Sequence, residues 1–301
     1  MNATIEVQHL TKRFGDFVAV NNISFSVNAG RVTGFLGPNG AGKSTTLRCL
    51  TGLITPTSGN ALITGIEYKD LAEPLRIVGT ALETTGFHPG RTGFDNLMVS
   101  AVAADLTKAD VTGALKQVGM FEASSKRVEA YSLGMKQRLA LAFALMGNPD
   151  ILILDEPANG LDPEGIAWLR GFLRHHAENG GTVLLSSHVL SEVQQTVDDI
   201  IIISKGELKL QCTLEELVKS TEMIVSVKSP QLEKLLVVLE QDTRFSAITL
   251  NRTNSQSLHV KGMTAAEVGA LSFSHSIELH ELSETQTDLE QVFLSITGGE
   301  A

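Results

Sequence analysis

The stretch Gly37–Ser44, reading GPNGAGKS, constrains this chain more than any other. Two glycines and a Lys-Ser pair at that spacing form a phosphate-binding loop when a strand precedes them and a helix follows. Val32–Leu36 is apolar and β-compatible, and Thr45–Leu53 reads as a helix start, so the context is present. Gly37, Gly40 and Gly42 allow the backbone to turn tightly enough for successive amides to face one anion. The helix N-terminus adds unpaired N–H groups and partial positive charge. In this pattern Gly37, Pro38, Asn39, Gly40, Ala41, Gly42, Lys43, Ser44 and Thr45 are the candidate nucleotide-binding residues. Lys43 reaches the β- and γ-phosphates, and Ser44 places a hydroxyl on Mg²⁺.

Around the loop the chain alternates strands and helices. Thr4–Leu10 and Val18–Val27 read as strands flanking a turn at Gly15–Asp16, with Phe14 just before the turn; Phe14 taken alone reads as a core aromatic. Further strands are expected at Gly59–Thr64 and Ile77–Glu83, and a loop at Thr84–Thr92. Helices are expected at Phe94–Ala104 and Lys108–Val118, the second capped by Thr107. Phe87, His88, Phe94 and Leu97, in and beside the Gly/Pro-rich loop, suggest an exposed surface for a partner. Ser132, in Tyr131-Ser-Leu-Gly-Met-Lys-Gln-Arg138, taken alone reads as the N-cap of the next helix.

Ile151–Leu154 is a short apolar run closing on two acids, Asp155 and Glu156. Unpaired buried carboxylates are costly, but at the carboxyl end of a parallel strand they would emerge at the usual ligand position of an open α/β sheet. Asp155 would there hold Mg²⁺ through water, and Glu156 would take a proton from an attacking water. Asn159–Pro163 is a turn opening a helix with Asp162 as cap, and His188 closes the strand Thr182–Ser187. Ile200–Ser204 and Glu207–Gln211 form a hairpin. From about Thr213 the pattern changes: strands at Glu222–Val227, Ala247–Leu250, Ser257–Val260 and Ser276–Leu282 interleave with helices at Leu232–Leu239, Thr264–Leu271 and Leu289–Ile296. That order suggests a small ferredoxin-like α+β unit. The boundary places one domain at 1–215 and a second at 216–301.

Composition excludes some classes. A formal net charge of −10 disfavours nucleic acid as a partner. Two distant cysteines, Cys49 and Cys212, have no metal-ligand spacing and suit a reducing, cytoplasmic setting. No signal peptide is visible and no run reaches the ~18 apolar residues of a membrane span, so any membrane role requires another chain.

Taken in order, Gly37–Ser44, Tyr131–Met135, Ile151–Glu156, Asn159–Asp162 and His188 resemble the motifs of ATP-binding cassette (ABC) ATPase subunits of transporters. The resemblance covers roughly residues 3–215. It implies an α/β fold of the P-loop NTPase type, with a β-rich lobe and a helical signature subdomain. It also implies two cassettes meeting head to tail around two ATPs with Mg²⁺. Lys43, Ser44, Asp155, Glu156 and His188 would then serve the chain's own ATP, with Lys43, Glu156 and His188 catalytic. Ser132 and Gly134 would reach the partner's ATP, and Phe14 would stack on adenine.

Two departures stand out. The family's Leu-Ser-Gly-Gly-Gln reads Tyr131-Ser132-Leu133-Gly134-Met135 here. A glutamine that touches Mg²⁺ in the family is replaced at the aligned position by Glu83, a candidate metal ligand. These features, the region 83–97 and the ending Asp288–Thr297 are similar to cassettes of bacterial drug and peptide-antibiotic exporters. The implied protein is an ATPase at the cytoplasmic face of the membrane, paired with a separately encoded integral membrane permease subunit. A second copy of itself is favoured over a different cassette. The alternatives are a soluble cassette ATPase acting on a macromolecule, an importer cassette, or a module that binds ATP without hydrolysing it.

Overall fold

The computed structural model describes residues 3–82, 86–219, 223–241, 249–252, 254, 256–286 and 289–298. In chain order the elements are β1 (Ala3–Phe14), β2 (Phe17–Asn28), β3 (Val32–Leu36), α1 (Lys43–Leu50), β4 (Ser58–Ile63), α2 (Pro74–Ile77), β5 (Val78–Ala81), α3 (Gly93–Ala103), α4 (Lys108–Gln117), α5 (Leu133–Leu145), β6 (Ile151–Leu154), α6 (Pro163–Glu178), β7 (Thr182–Ser187), α7 (Leu190–Val193), β8 (Asp199–Ser204), β9 (Glu207–Thr213), α8 (Leu214–Lys219), β10 (Met223–Lys228), α9 (Leu232–Gln241), β11 (Thr249–Arg252), β12 (Ser257–Lys261), α10 (Ala265–Ser274), β13 (Glu281–Gln286) and α11 (Leu289–Thr297). The chain divides into two compact units, one of residues 1–214 with 296–299, the other of 215–295 with 300–301.

In the first unit, β2-β1-β4 form an antiparallel sheet. A second sheet runs β5-β6-β7-β3-β8-β9, parallel except for β9 at its edge. Its inner strands are apolar without alternation because both faces are covered: every residue of β3, β6 and β7 is buried. The carboxyl ends of β6, β7 and β3 lie side by side, so the turns leaving them share one rim of the sheet.

Local signals set the helix ends. Thr107 and Asp110 form a reciprocal capping box on α4. The Asp162 side chain accepts from Gly165 N at 2.8 Å at the start of α6, with Pro163 as its first residue. Ser132 likewise caps α5, accepting from Met135 N at 3.2 Å.

The second unit is an antiparallel sheet in the order β11-β12-β10-β13. With α9 and α10 as its connecting helices, this is the ferredoxin-like arrangement. Its core joins Val225, Val227, Leu258 and Val260 of the sheet to Leu235 and Leu239 of α9 and Val268 of α10. The strand expected at Ser276–Leu282 instead spans Glu281–Gln286. Ser276 takes a left-handed φ of 51° just past α10, and 277–280 form the connection. Leu97, expected on an exposed surface, is fully buried on α3.

Candidate nucleotide site

Between β3 and α1 the chain runs through Gly37, Pro38, Asn39, Gly40, Ala41 and Gly42 without regular structure, and Lys43, Ser44 and Thr45 open the helix. No side chain caps α1, so its first amides are left for a ligand. Gly42 adopts φ 105°, and a Cβ there would lie 2.6 Å from the carbonyl oxygen of Ala19. Only glycine meets both conditions. The cradle therefore fits a phosphate by shape and by its donors.

Lys43 is 6 % exposed, and its Nζ donates to the carbonyls of Gly37 at 2.7 Å and Pro38 at 3.4 Å. Burial lowers its pKa from the ordinary lysine value, against the opposing pull of Glu156 and Asp155. Lys43 Nζ also stands 3.6 Å from Glu156 Oε1. Glu156 Oε2 in turn accepts from His188 Nδ1 at 2.9 Å, so ammonium, carboxylate and imidazole form one connected group.

Ser186, at the end of β7, completes the arrangement, and no sequence signal marks it. Its hydroxyl donates to Asp155 Oδ1 and accepts from Glu156 N at 2.9 Å. One hydroxyl thereby orients both acids from the neighbouring strand. Glu156 itself takes φ 49°, a left-handed conformation costing a non-glycine residue about 1–3 kcal/mol and characteristic of strained functional turns. Its amide bond to Ser186 and the bond from Asn159 N to its carbonyl at 3.1 Å hold it there.

Ser44 and Asp155 offer hydroxyl and carboxylate oxygens, the hard donors Mg²⁺ takes. Among the described residues there is no cluster of three or more His, Cys, Asp or Glu suited to hold a metal. The protein would therefore supply part of a Mg²⁺ shell, with phosphate oxygens and water completing it. Glu83, the other candidate ligand, lies outside the described residues, as does Asp288 of the C-terminal motif.

Among the described residues, no hydrogen bond or ion pair joins Ser132, Gly134 or Asp162 to Lys43, Glu156 or His188. Phe14 is 48 % exposed at the end of β1, with Lys12 Nζ 4.9 Å above its ring. An aromatic so exposed is no core residue, and its face can take a flat ring. Two structural residues carry no signal in the sequence. Buried Asn96 accepts from His88 N at 2.8 Å and donates to the carbonyls of His88 and Thr92, folding the loop at 88–92 onto α3. Buried Gln137 of α5 donates to the Pro157 carbonyl at 3.0 Å.

A phosphate cradle at the end of β3 and paired acids beside it at the end of β6 define a P-loop nucleotide-binding α/β protein. A family described as ABC transporter matches residues 20–159. The bacitracin transport ATP-binding protein BcrA of Enterococcus faecalis is 34 % identical over 302 residues, spanning 99 % of this chain and 98 % of its own. Its Bacillus licheniformis counterpart is equally similar, with 99 % of each chain covered. The lantibiotic transport ATP-binding protein SrtF of Streptococcus pyogenes is 37 % identical over 207 residues, 69 % of this chain and 90 % of its own. A solved ATP-binding subunit of an ABC transporter superposes with a TM-score of 0.65 at 28 % identity, over 72 % of this chain and 92 % of that one. This chain belongs to the ABC transporter family, as one of its ATPase subunits. Residues 223–290 match a family described as a domain of unknown function.

Proposed function

We propose that this chain hydrolyses ATP to power export of a peptide antibiotic or a comparable drug or lipid-like substrate through a separately encoded membrane permease. The observation that carries this reading is the convergence of Lys43, Asp155, Glu156 and His188 at one rim of the sheet. It is supported by full-length similarity to bacitracin transport subunits, the C-terminal unit included.

In this reading Lys43 and the α1 amides hold the phosphates, and Phe14 stacks on adenine. Ser44 and Asp155, with Glu83 as the further candidate, would hold Mg²⁺, which would supply positive charge to the phosphate oxygens. Glu156 takes a proton from water as the water oxygen bonds to the γ-phosphorus. The β–γ bridging P–O bond breaks with its electron pair leaving on ADP. His188, oriented through Nδ1 by Glu156, presents Nε2 to the γ-phosphate. Two copies pair head to tail so that Ser132 and Gly134 of one meet the ATP of the other.

No helix among the described residues is long and apolar enough to cross a membrane; by similarity to transport ATP-binding subunits, the chain works at the cytoplasmic face beside its permease. The permease would seat in a groove of about 360 Å³ lined by Leu53, Phe87, His88, Val99 and Phe143. The test looks for a multispan protein encoded next to this chain and co-expresses the two. Peptide-antibiotic tolerance and permease-stimulated ATPase are expected, and Lys43→Ala should abolish both. Phe87→Asp should release the permease while leaving ATP binding intact. A folded protein with no ATPase, or ATPase indifferent to any permease, would overturn the reading.

A further inference from the structure

We propose that Gln137 is a positioning residue that fastens the turn carrying Glu156 to the helix beginning at Ser132. Contact made by Ser132 with one nucleotide thereby sets the base that serves the other. The inference rests on Glu156 as general base and on the head-to-tail pair.

Leu133, Gly134 and Gln137 fall at helical spacings of three and four and so share one face of α5. All three meet the segment that follows β6. A Cβ placed on Gly160, which has φ 78°, would lie 2.5 Å from Leu133 Cγ and Cδ2, so the leucine lies directly against that glycine. A Cβ on Gly134 would lie 2.9 Å from the Gly160 carbonyl oxygen, which leaves no room for a side chain. One turn further on, Gln137 Nε2 donates to the Pro157 carbonyl at 3.0 Å, with the Glu156 carbonyl at 3.5 Å. Gln137 is 3 % exposed, so water does not compete for these carbonyls.

The consequence falls on Glu156. Its left-handed φ of 49° persists only where neighbours over-determine it. Ser186 restrains its amide from β7, and Gln137 holds the Pro157 carbonyl, with the Glu156 carbonyl at 3.5 Å, from α5. Beyond this turn α5 is bedded in the core through Leu139, Leu141, Ala142 and Ala144, so its first two turns move as a body with Ser132. A shift of that end displaces the peptide after Glu156 by a similar amount, and small misplacements of catalytic groups cost rate steeply.

Gln137→Met keeps length and volume but removes the donor; Gln137→Asn keeps the amide but draws it back by one methylene. The full-length parent, both variants and Glu156→Gln are compared for melting temperature, ATP affinity and the ATP dependence of turnover. Expected in folded Gln137 variants are ATP affinity within about twofold of the parent, kcat lower by about ten- to a hundredfold, and a Hill coefficient falling toward 1. A residue of merely structural weight would lower kcat and binding together, in step with the folded fraction, and that result overturns the inference. Parental kcat and Hill coefficient in both variants, or a parent Hill coefficient of 1, also overturn it. Glu156→Gln separates the two levels. If that variant is inactive while the Gln137 variants behave as parent, only this inference fails; if it turns over normally, the general base fails and takes the inference with it.

Discussion

Replacing Glu156 by glutamine perturbs the proposed mechanism at one atom pair. The carboxylate contacts His188 Nδ1 at 2.9 Å through Oε2 and Lys43 Nζ at 3.6 Å through Oε1. A carboxamide keeps one acceptor oxygen and turns an NH₂ toward the other neighbour, so one of the two contacts is lost. Lys43 is still held by the Gly37 carbonyl at 2.7 Å, and the phosphate cradle is backbone, so the ground state loses on the order of one hydrogen bond, about 1 kcal/mol. General-base catalysis is worth ~10²–10⁴ in rate, about 3–5 kcal/mol of barrier. This second loss, the greater of the two, is felt only in the transition state. Turnover at saturating ATP should therefore fall at least roughly a hundredfold, with affinity changed by no more than about tenfold. Phosphate release measures the first and calorimetry with Mg·ATP the second; light scattering should show the ATP-bound pair accumulating. Adding Ser132→Ala should weaken that pair. Turnover within a few-fold of the parent, or turnover and affinity falling in parallel, would refute the assignment of the base.

Other consequences are closer to the fold. Gly79 in β5 has no room for a side chain: a Cβ would lie 2.1 Å from the Ala144 carbonyl and 2.8 Å from Leu152 and Pro149 side-chain atoms. Gly79→Ala should cost about 1–3 kcal/mol by overpacking, seen as a lower urea midpoint at unchanged slope. Burial raises the Cys49 thiol to about 11, so at pH 8 roughly one molecule in a thousand carries the thiolate, and native alkylation should leave Cys49 unmodified until the chain is unfolded. Rapid native labelling at Cys49 would contradict its burial. Ending the chain after residue 219 keeps every phosphate-contacting candidate but removes the Thr297 carbonyl, to which buried Ser204 Oγ donates at 2.9 Å. The shortened protein should bind ATP yet lose about 1–3 kcal/mol of stability, and a folded fragment unable to bind ATP would count against this.

What is legible in the sequence is what short-range chemistry dictates. Gly37–Ser44 carries its own strand, turn and helix cues, and Thr107, Ser132 and Asp162 announce caps because an N-cap bond spans three residues. Ile151–Leu154 reads as a buried strand because four apolar residues run without alternation, and Thr182–Ser187 reads as a strand. Ser186 and Gln137 give no signal, since their partners lie about thirty and twenty residues away. Leu97 reads as exposed beside Phe87 and Phe94, but α3 turns it fully inward while Phe87 lines the groove. The strand near residue 280 is expected too early because Ile277 and Leu279 alternate with polar residues, yet that stretch, just past the left-handed φ of Ser276, forms the connection and the strand is Glu281–Gln286.

Two of the three departures in the signature, at Tyr131 and Leu133, are explained by what their side chains touch. Tyr131 is buried, and a buried phenol needs a partner; its hydroxyl donates to the Ala123 carbonyl at 2.8 Å, tying the start of α5 to the preceding loop. Leu133 lays its side chain against Gly160 of the same chain. Tyr131 therefore acts inward, on the support of α5, while Leu133, though 58 % exposed, covers Gly160. Ser132 and Gly134, which in the family pattern address the second nucleotide, are retained; the Ser132 hydroxyl accepts from Met135 N at 3.2 Å, and Gly134 packs too closely on the Gly160 carbonyl to carry a side chain. Under the proposed head-to-tail pairing, the changes at Tyr131 and Leu133 bear on how α5 sits against its own chain and leave Ser132 and Gly134 in place.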